Sequence, residues 1–117
     1  MSVQRTLYHF PLDPASRQVR LALGEKRLAF EDVVVRYWEQ PDDLSALNPS
    51  GLTPVLVEEG PDGRLVLCEG RAILDHLEEA YPEPALLGRE AADRAEARRL
   101  LQWFDRKFDY EVGSFLL

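Results

Sequence analysis

The sequence predicts an α/β domain with a four-stranded mixed sheet, followed by a linker and a long helix. Three observations lead to this fold class. A strand, a helix and a second strand follow one another within residues 5–35, a turn at 60–63 joins two apolar runs, and apolar residues recur at helical spacing over 69–81 and 90–110. A chain of 117 residues has room for one such domain and the beginning of a second.

The first strand and helix are marked by their flanking residues. A short buried strand is predicted at residues 5–10 and ends at Pro11. Asp13 then takes the N-cap position and Pro14 the first helical position, because proline has no amide to lose there. The apolar spacing predicts that the helix continues to about Gly24.

A second strand is predicted at residues 28–35, where three consecutive valines suggest burial on both faces. A strand, a helix and a strand of this size form a βαβ unit, whose two strands are expected to be parallel. A weaker helical segment follows within residues 36–47, with Pro41 at its start.

The stretch 48–56 reads Asn-Pro-Ser-Gly-Leu-Thr-Pro-Val-Leu. Pro49 and Gly51 break the preceding helix. Pro54 cannot donate to a sheet ladder, so the backbone around Thr53 is expected to face a solvent-accessible groove. If the Thr53–Pro54 bond is cis, the amide and carbonyl of Thr53 turn outward, free to pair with an extended peptide-like ligand.

The rest of the domain is a hairpin and a helix. Apolar runs at 55–59 and 65–68 flank Gly-Pro-Asp-Gly at 60–63, which predicts an antiparallel hairpin. Residues 69–81 carry apolar side chains at helical spacing. The order β-α-β-α-β-β-α is that of the thioredoxin-like arrangement, a four-stranded mixed sheet with helices on its faces.

The chain is predicted to divide into a domain at 1–81, a proline-containing linker at 82–89 and the start of an all-α domain at 90–117. The long helix at 90–110 carries one apolar side that a single helix cannot bury. We therefore expect a homodimer or a swapped arrangement, and a second domain that is truncated in this chain.

Composition excludes several function classes. The net charge of −7 opposes binding to nucleic acid or to an anionic membrane. The single cysteine, Cys68, excludes an internal disulfide, a Cys-x-x-Cys redox pair and a cysteine-based metal site, and no metal is predicted. No secretory leader or membrane-spanning run is evident, so the expected location is the cytoplasm. Only two of the basic residues are lysines, which suggests a GC-rich bacterial genome.

Four segments together resemble the N-terminal domain of the cytosolic glutathione transferase superfamily and the first helix of its second domain. Residues 14–23 are similar to the family's first helix, and 48–56 to its Asn-Pro-x-Gly-x-Val-Pro-Val-Leu motif. Leu-Cys-Glu-Gly-Arg-Ala-Ile at 67–73 resembles its Glu-Ser-x-Ala-Ile segment, and Tyr-Pro at 81–82 its usual close.

The resemblance implies that glutathione binds as a substrate, with no separate cofactor. In the family, the proline at the position of Pro54 is cis, and the main chain of the residue before it, here Thr53, pairs with the cysteinyl part of glutathione. The γ-glutamyl end binds at the start of the third helix, where amides and the helix dipole favour a carboxylate. The residues implied for the γ-glutamyl end are Glu69 and Gly70, the latter in place of the usual Ser, and those for the glycyl end are Trp38 and Gln40.

The reactive position departs from the family pattern. Family members stabilise the thiolate with Tyr, Ser or Cys, and the closest-looking pattern places that group on Asp13. An ionised Asp13 would repel a thiolate and raise the pKa of the thiol. Ser16, Tyr8 and His9 are the alternatives within reach. Each also has a structural reading: Asp13 and Ser16 as capping residues, Tyr8 and His9 as core residues, and Cys68 as an inert thiol.

Three functions therefore remain open from the sequence. The first is a glutathione transferase that conjugates the glutathione thiol to an electrophile. The second, suggested by Asp13 and Gly70, is a non-catalytic interaction module of the same fold. Glutathione-dependent reduction is the weakest, since it lacks a nucleophilic Cys at the Asp13 position.

Overall fold

The computed structural model describes residues 3–113 and contains a single four-stranded sheet with helices on both faces. Most element bounds lie within two residues of those predicted from sequence. The elements in chain order are β1 (Gln4–His9), α1 (Pro14–Glu25), β2 (Glu31–Val34), a 3₁₀ turn (Tyr37–Glu39), α2 (Asp42–Leu47), β3 (Val55–Gly60), β4 (Gly63–Cys68), α3 (Gly70–Ala80) and α4 (Ala91–Phe108).

The sheet has the strand order β2-β1-β3-β4. β1 and β2 are parallel, as the βαβ prediction requires, whereas β3 is antiparallel to both β1 and β4. Gly60 and Gly63 close the β3–β4 hairpin, and the positive φ of Gly63 (+119°) is one that glycine adopts without strain. The predicted thioredoxin-like mixed sheet is confirmed.

The prediction that the second strand is buried on both faces is wrong. β2 begins at Glu31, three residues later than predicted, and all four of its residues are exposed, Val34 by 60%. The reason is its place at the edge of the sheet, where a short, charged strand is typical. Leu28 and Phe30, which precede β2, are the residues that pack against the core.

Strand alternation divides the core between the two faces of the sheet. On one face, Leu7 of β1 and Leu56 of β3 pack against α1 and α3, in a cluster completed by Val19, Ala22, Leu23, Ile73 and Leu77. On the other face, Val55 and Val57 pack against Leu44 of α2. β1 is buried only at Leu7 and His9, so it is less enclosed than its sequence predicts.

A buried ion pair fastens the segment predicted as a linker, residues 82–89, to the rest of the fold. Lys26, just after α1, has a fully buried side chain, and its ammonium lies 2.8 Å from the carboxylate of Glu78. The same ammonium donates to the carbonyls of Tyr81 and Pro84, at 2.6 and 2.8 Å. The sequence did not predict this cluster, because its members are far apart in the chain and both charged types are usually exposed.

Glu78 continues this network into the linker. Its carboxylate accepts hydrogen bonds from the amides of Leu86 and Leu87, at 3.0 and 3.3 Å, and from Arg94 of α4 at 3.3 Å. Burial alone would raise the pKa of Glu78, but the hydrogen bonds from Lys26 and the two linker amides hold it below its ordinary value. The linker is thus held in place by specific polar contacts.

α4 is the helix predicted at 90–110, and a π-helical turn (Asp109–Gly113) extends it. None of its residues is buried. Leu100, Phe104 and Phe108, on the predicted apolar side, are 40–58% exposed. The predicted start of the all-α domain, 90–117, lies from residue 114 outside the described residues. No helix within residues 3–113 is long and apolar enough to cross a membrane.

Candidate ligand site

The Thr53–Pro54 peptide bond is cis, as the resemblance implied. Pro54 is buried beneath the start of β3, and Thr53 is half-buried. Within residues 3–113, neither the amide nor the carbonyl of Thr53 makes a backbone hydrogen bond. The main-chain edge expected from the sequence is therefore unpaired in the structure.

Asn48 holds the loop that leads to this edge. Its side chain is buried and donates to the carbonyl of Leu52 at 3.0 Å, while its Oδ1 accepts from the amide and hydroxyl of Ser50 at 3.1 and 3.0 Å. The backbone turns at Gly51, whose φ is +70° and whose amide donates to the Asn48 carbonyl at 2.8 Å. Asn48 thus fixes the loop before Thr53.

Asp13 lies beside the Thr53 edge and bridges two hydroxyl groups. Its Oδ2 accepts hydrogen bonds from Ser16 at 2.7 Å and from Thr53 at 3.0 Å. Asp13 occupies the N-cap position of α1, but its side chain makes no capping hydrogen bond, so the interpretation as a capping carboxylate is wrong. The carboxylate instead joins α1 to the Thr53 loop through these two hydroxyls.

The remaining thiolate-donor candidates are already engaged or lie on the sheet. Ser16 is fully buried; it donates its proton to Asp13 and accepts a long hydrogen bond from the Phe10 amide at 3.4 Å. Tyr8 packs with the cluster around Leu44 on the α2 face. A catalytic role for Tyr8, Ser16 or Asp13 stays a prediction, and the Ser16 hydroxyl is already committed to Asp13.

His9 lies on the opposite face of β1 from Tyr8, buried as strand alternation suggested. Its Nε2 is 3.0 Å from Asp32 Oδ1, without the alignment of a hydrogen bond, and neither ring nitrogen has a hydrogen-bond partner in the described part of the chain. Burial lowers the pKa of His9 and outweighs the opposing effect of Asp32. Burial therefore favours the neutral imidazole over the charged one.

The start of α3 carries the two residues implied for the γ-glutamyl end. Glu69 is exposed, has a positive φ of +77° and makes no capping hydrogen bond with its side chain. Gly70 begins the helix against α1, where an added Cβ would lie 3.0 Å from the Cβ of Ala15. This close approach gives a packing reason for glycine where the family has serine.

An aromatic cluster flanks the site. Trp38, which is 53% exposed, makes edge-to-face contacts with Phe10 and Tyr37 at centroid distances of 4.7 and 5.3 Å. Burial and the charge of Asp13 raise the pKa of Tyr37. Gln40 is exposed and closes the 3₁₀ turn with a φ of +51°. Sequence reasoning missed Phe10, which appeared only as the end of a strand.

A groove of about 440 Å³ opens between α1 and α4, next to Asp13. Its walls combine apolar side chains with a few polar ones, including Leu12, Leu21, Phe104, Phe108, Asp13 and Arg17. The helical spacing of α4 was the only sequence signal for it. Cys68 is not part of this groove, and burial followed by the charge of Glu69 raises the pKa of its thiol.

The arrangement suits binding better than thiolate activation. The unpaired amide and carbonyl of Thr53 can pair with an extended peptide-like ligand. The Asp13 carboxylate contacts the Thr53 hydroxyl beside that edge, and a carboxylate accepts hydrogen bonds and repels a thiolate.

Comparison with known proteins agrees with this fold. The family model described as "Glutathione S-transferase, N-terminal domain" matches residues 7–85. The chain is 70% identical over its full length to FtsZ-localized protein A of Caulobacter vibrioides, of which it covers 51%.

Two solved structures extend the comparison. A glutathione S-transferase from Rhodospirillum rubrum is 53% identical with a TM-score of 0.85, over 94% of this chain and 48% of that one. Maleylacetoacetate isomerase from Anaeromyxobacter dehalogenans, solved with glutathione in its active site, is 36% identical with a TM-score of 0.73, over 85% of this chain and 47% of that one. The chain spans about half the length of each of these relatives. By motif, fold and sequence identity, the chain belongs to the glutathione S-transferase superfamily.

Proposed function

We propose that this chain is part of a non-catalytic protein of glutathione S-transferase fold that associates with FtsZ assemblies in the bacterial cytoplasm. The observation that carries the proposal is Asp13, a carboxylate that already binds the hydroxyls of Ser16 and Thr53 at the place where a thiolate would need a donor. The relative named for FtsZ localisation, at 70% identity, supports the choice of partner.

The repulsion expected between the Asp13 carboxylate and a nearby thiolate is large. Two unit negative charges about 4 Å apart repel by roughly 4 kcal/mol at an effective dielectric constant near 20. An ionised Asp13 would therefore raise the pKa of a glutathione thiol bound beside it and favour the protonated thiol over the thiolate.

Glutathione conjugation is the second candidate function. It is favoured by the unpaired main chain of Thr53 and by the related isomerase that holds glutathione in its active site. Under this alternative, Thr53, Pro54, Glu69, Gly70, Trp38 and Gln40 would contact glutathione.

The proposed organisation follows from the sequence prediction. Residues 1–81 form the thioredoxin-like domain, 82–89 the linker, and 90–117 the beginning of a helical domain. The exposed apolar side of α4 supports a homodimer or contact with further helices.

Two measurements test the proposed function. The protein is mixed with FtsZ that has been polymerised with GTP, and the polymers are pelleted. We expect the protein in the pellet only when FtsZ is polymerised. A protein that stays in the supernatant at every FtsZ concentration would contradict the proposed partner.

The second measurement is the rate at which glutathione is conjugated to 1-chloro-2,4-dinitrobenzene. We expect the wild-type rate to equal the uncatalysed rate. Asp13→Ser replaces the carboxylate with a hydroxyl, and Asp62→Asn in the exposed β3–β4 turn serves as a charge-matched control. A wild-type rate well above background would replace this proposal with the conjugation alternative. Loss of that rate in Asp13→Ser, but not in Asp62→Asn, would then assign the Asp13 carboxylate a part in the reaction.

A further inference from the structure

We infer that the Thr53 main-chain edge binds an extended, positively charged segment of a protein partner in place of glutathione. This inference rests on the proposed function, because it assigns a partner chemistry to the same site. The inference rests on an unpaired backbone edge with two carboxylates beside it, neither of which has a basic group within 4 Å in the described part of the chain.

The backbone supplies the binding mode. The amide and carbonyl of Thr53 are unpaired within the described residues, and the loop before them is fixed by the buried Asn48. A fixed, unpaired donor and acceptor on one residue can add a strand from another chain without a large ordering cost on its own side. Pairing of this kind uses main chain, so the side chains of the added strand remain available for selection.

Charge selects the occupant. Asp13 lies 3.0 Å from the Thr53 hydroxyl, and continuing the β3–β4 register beyond Val55 and Cys68 places Glu69 beside Pro54. In the described part of the chain, neither Asp13 nor Glu69 has a basic group within 4 Å. Two arginines on the adjoining helices do not neutralise these carboxylates. Arg71 pairs with Asp105 at 3.3 Å, and Arg17 is exposed on α1.

Glutathione fits this charge pattern poorly. Its single ammonium, at the γ-glutamyl end, could meet Glu69 but would leave Asp13 without a cation. Its own two carboxylates give it a net negative charge at neutral pH, which a chain with a net charge of −7 disfavours. A lysine or arginine on either side of a paired backbone unit would instead meet Asp13 and Glu69. The partner segment is therefore expected to be extended and cationic.

The test compares two short synthetic peptides with blocked ends, Thr-Lys-Val-Lys-Val-Lys-Thr and the same sequence with Glu in place of each Lys. Binding is followed by the amide resonance of Thr53 in ¹⁵N-labelled protein at low ionic strength. We expect the lysine peptide to shift this resonance and to bind at least about tenfold more tightly than the glutamate peptide. Added salt should weaken the lysine peptide's binding.

A double variant, Asp13→Asn with Glu69→Gln, should reduce that preference to less than about threefold. The matched control is Asp62→Asn with Glu79→Gln, two exposed carboxylates on the β3–β4 turn and α3, which should keep the preference. The wild-type comparison of the two peptides does not depend on how well any variant folds.

Three results would overturn the inference: equal affinity for the two peptides, no movement of the Thr53 resonance at about 1 mM lysine peptide, or displacement of the lysine peptide by an equal concentration of glutathione. Co-pelleting with FtsZ reports separately on the proposed function. If the protein pellets with FtsZ but fails the peptide test, only this inference fails.

Discussion

Replacing Lys26 with methionine should cost the domain more stability than any surface substitution. Methionine has a similar length and keeps the apolar packing, but it removes the ammonium that contacts Glu78, Tyr81 and Pro84. The substitution leaves the Glu78 carboxylate, which is 4% exposed, without its lysine partner, and it removes the donor to the carbonyls of Tyr81 and Pro84.

The magnitude follows from these contacts. Breaking a buried ion pair by removing one partner costs about 3–5 kcal/mol. The amides of Leu86 and Leu87 and the side chain of Arg94 still donate to Glu78, so we expect the lower end of that range, about 3 kcal/mol. The matched control is Lys107→Met, because Lys107 pairs with Glu111 on the surface at 2.7 Å and should contribute at most about 0.5 kcal/mol.

The assay is urea-induced unfolding at neutral pH, with the free energy of unfolding extrapolated to water for wild type and both variants. Amide hydrogen exchange at Leu86 and Leu87 should accelerate in Lys26→Met and not in Lys107→Met. A loss of less than about 1 kcal/mol for Lys26→Met, or equal losses for the two lysine variants, would refute the reasoning that the buried pair anchors the linker.

Three further outcomes are expected. Burial would raise the pKa of Glu58, but hydrogen bonds from His76 and two other side chains hold it below the ordinary value of 4.5. Ionised Glu58 therefore stabilises the fold at pH values above 4.5, and this contribution is lost as the pH falls through the folded pKa. Glu58→Gln should flatten the loss of thermal stability in that acidic range. Iodoacetamide should alkylate Cys68 at least about tenfold more slowly than free cysteine near neutral pH, and a matching rate would contradict the raised thiol pKa. Gly70→Ala should destabilise the protein by about 1 kcal/mol, because the added methyl group would contact Ala15. Adding Ala15→Gly should restore most of that loss in thermal unfolding. An unchanged melting temperature for Gly70→Ala alone would contradict the prediction that this contact is tight.

The backbone of the site could be predicted from the sequence better than its side-chain contacts could. The structure has the cis bond at Pro54 that the family resemblance implied. The unpaired edge at Thr53 was expected from the residues themselves, because proline cannot donate to a sheet ladder. The partners of Asp13 could not be predicted in the same way. Ser16 is only three residues away, but Thr53 reaches the carboxylate from 40 residues along the chain.

The sequence by itself determined the order of the elements, the mixed sheet and the family, because hydrophobic period, turn residues and short motifs are local properties of a chain. Only the tertiary structure decided which charges are buried and which valines are exposed. Lys26 and Glu78 meet inside the fold, whereas Val33 and Val34 face solvent on an edge strand. Burial depends on what the rest of the chain places over a residue, and that placement is fixed only when distant segments pack together.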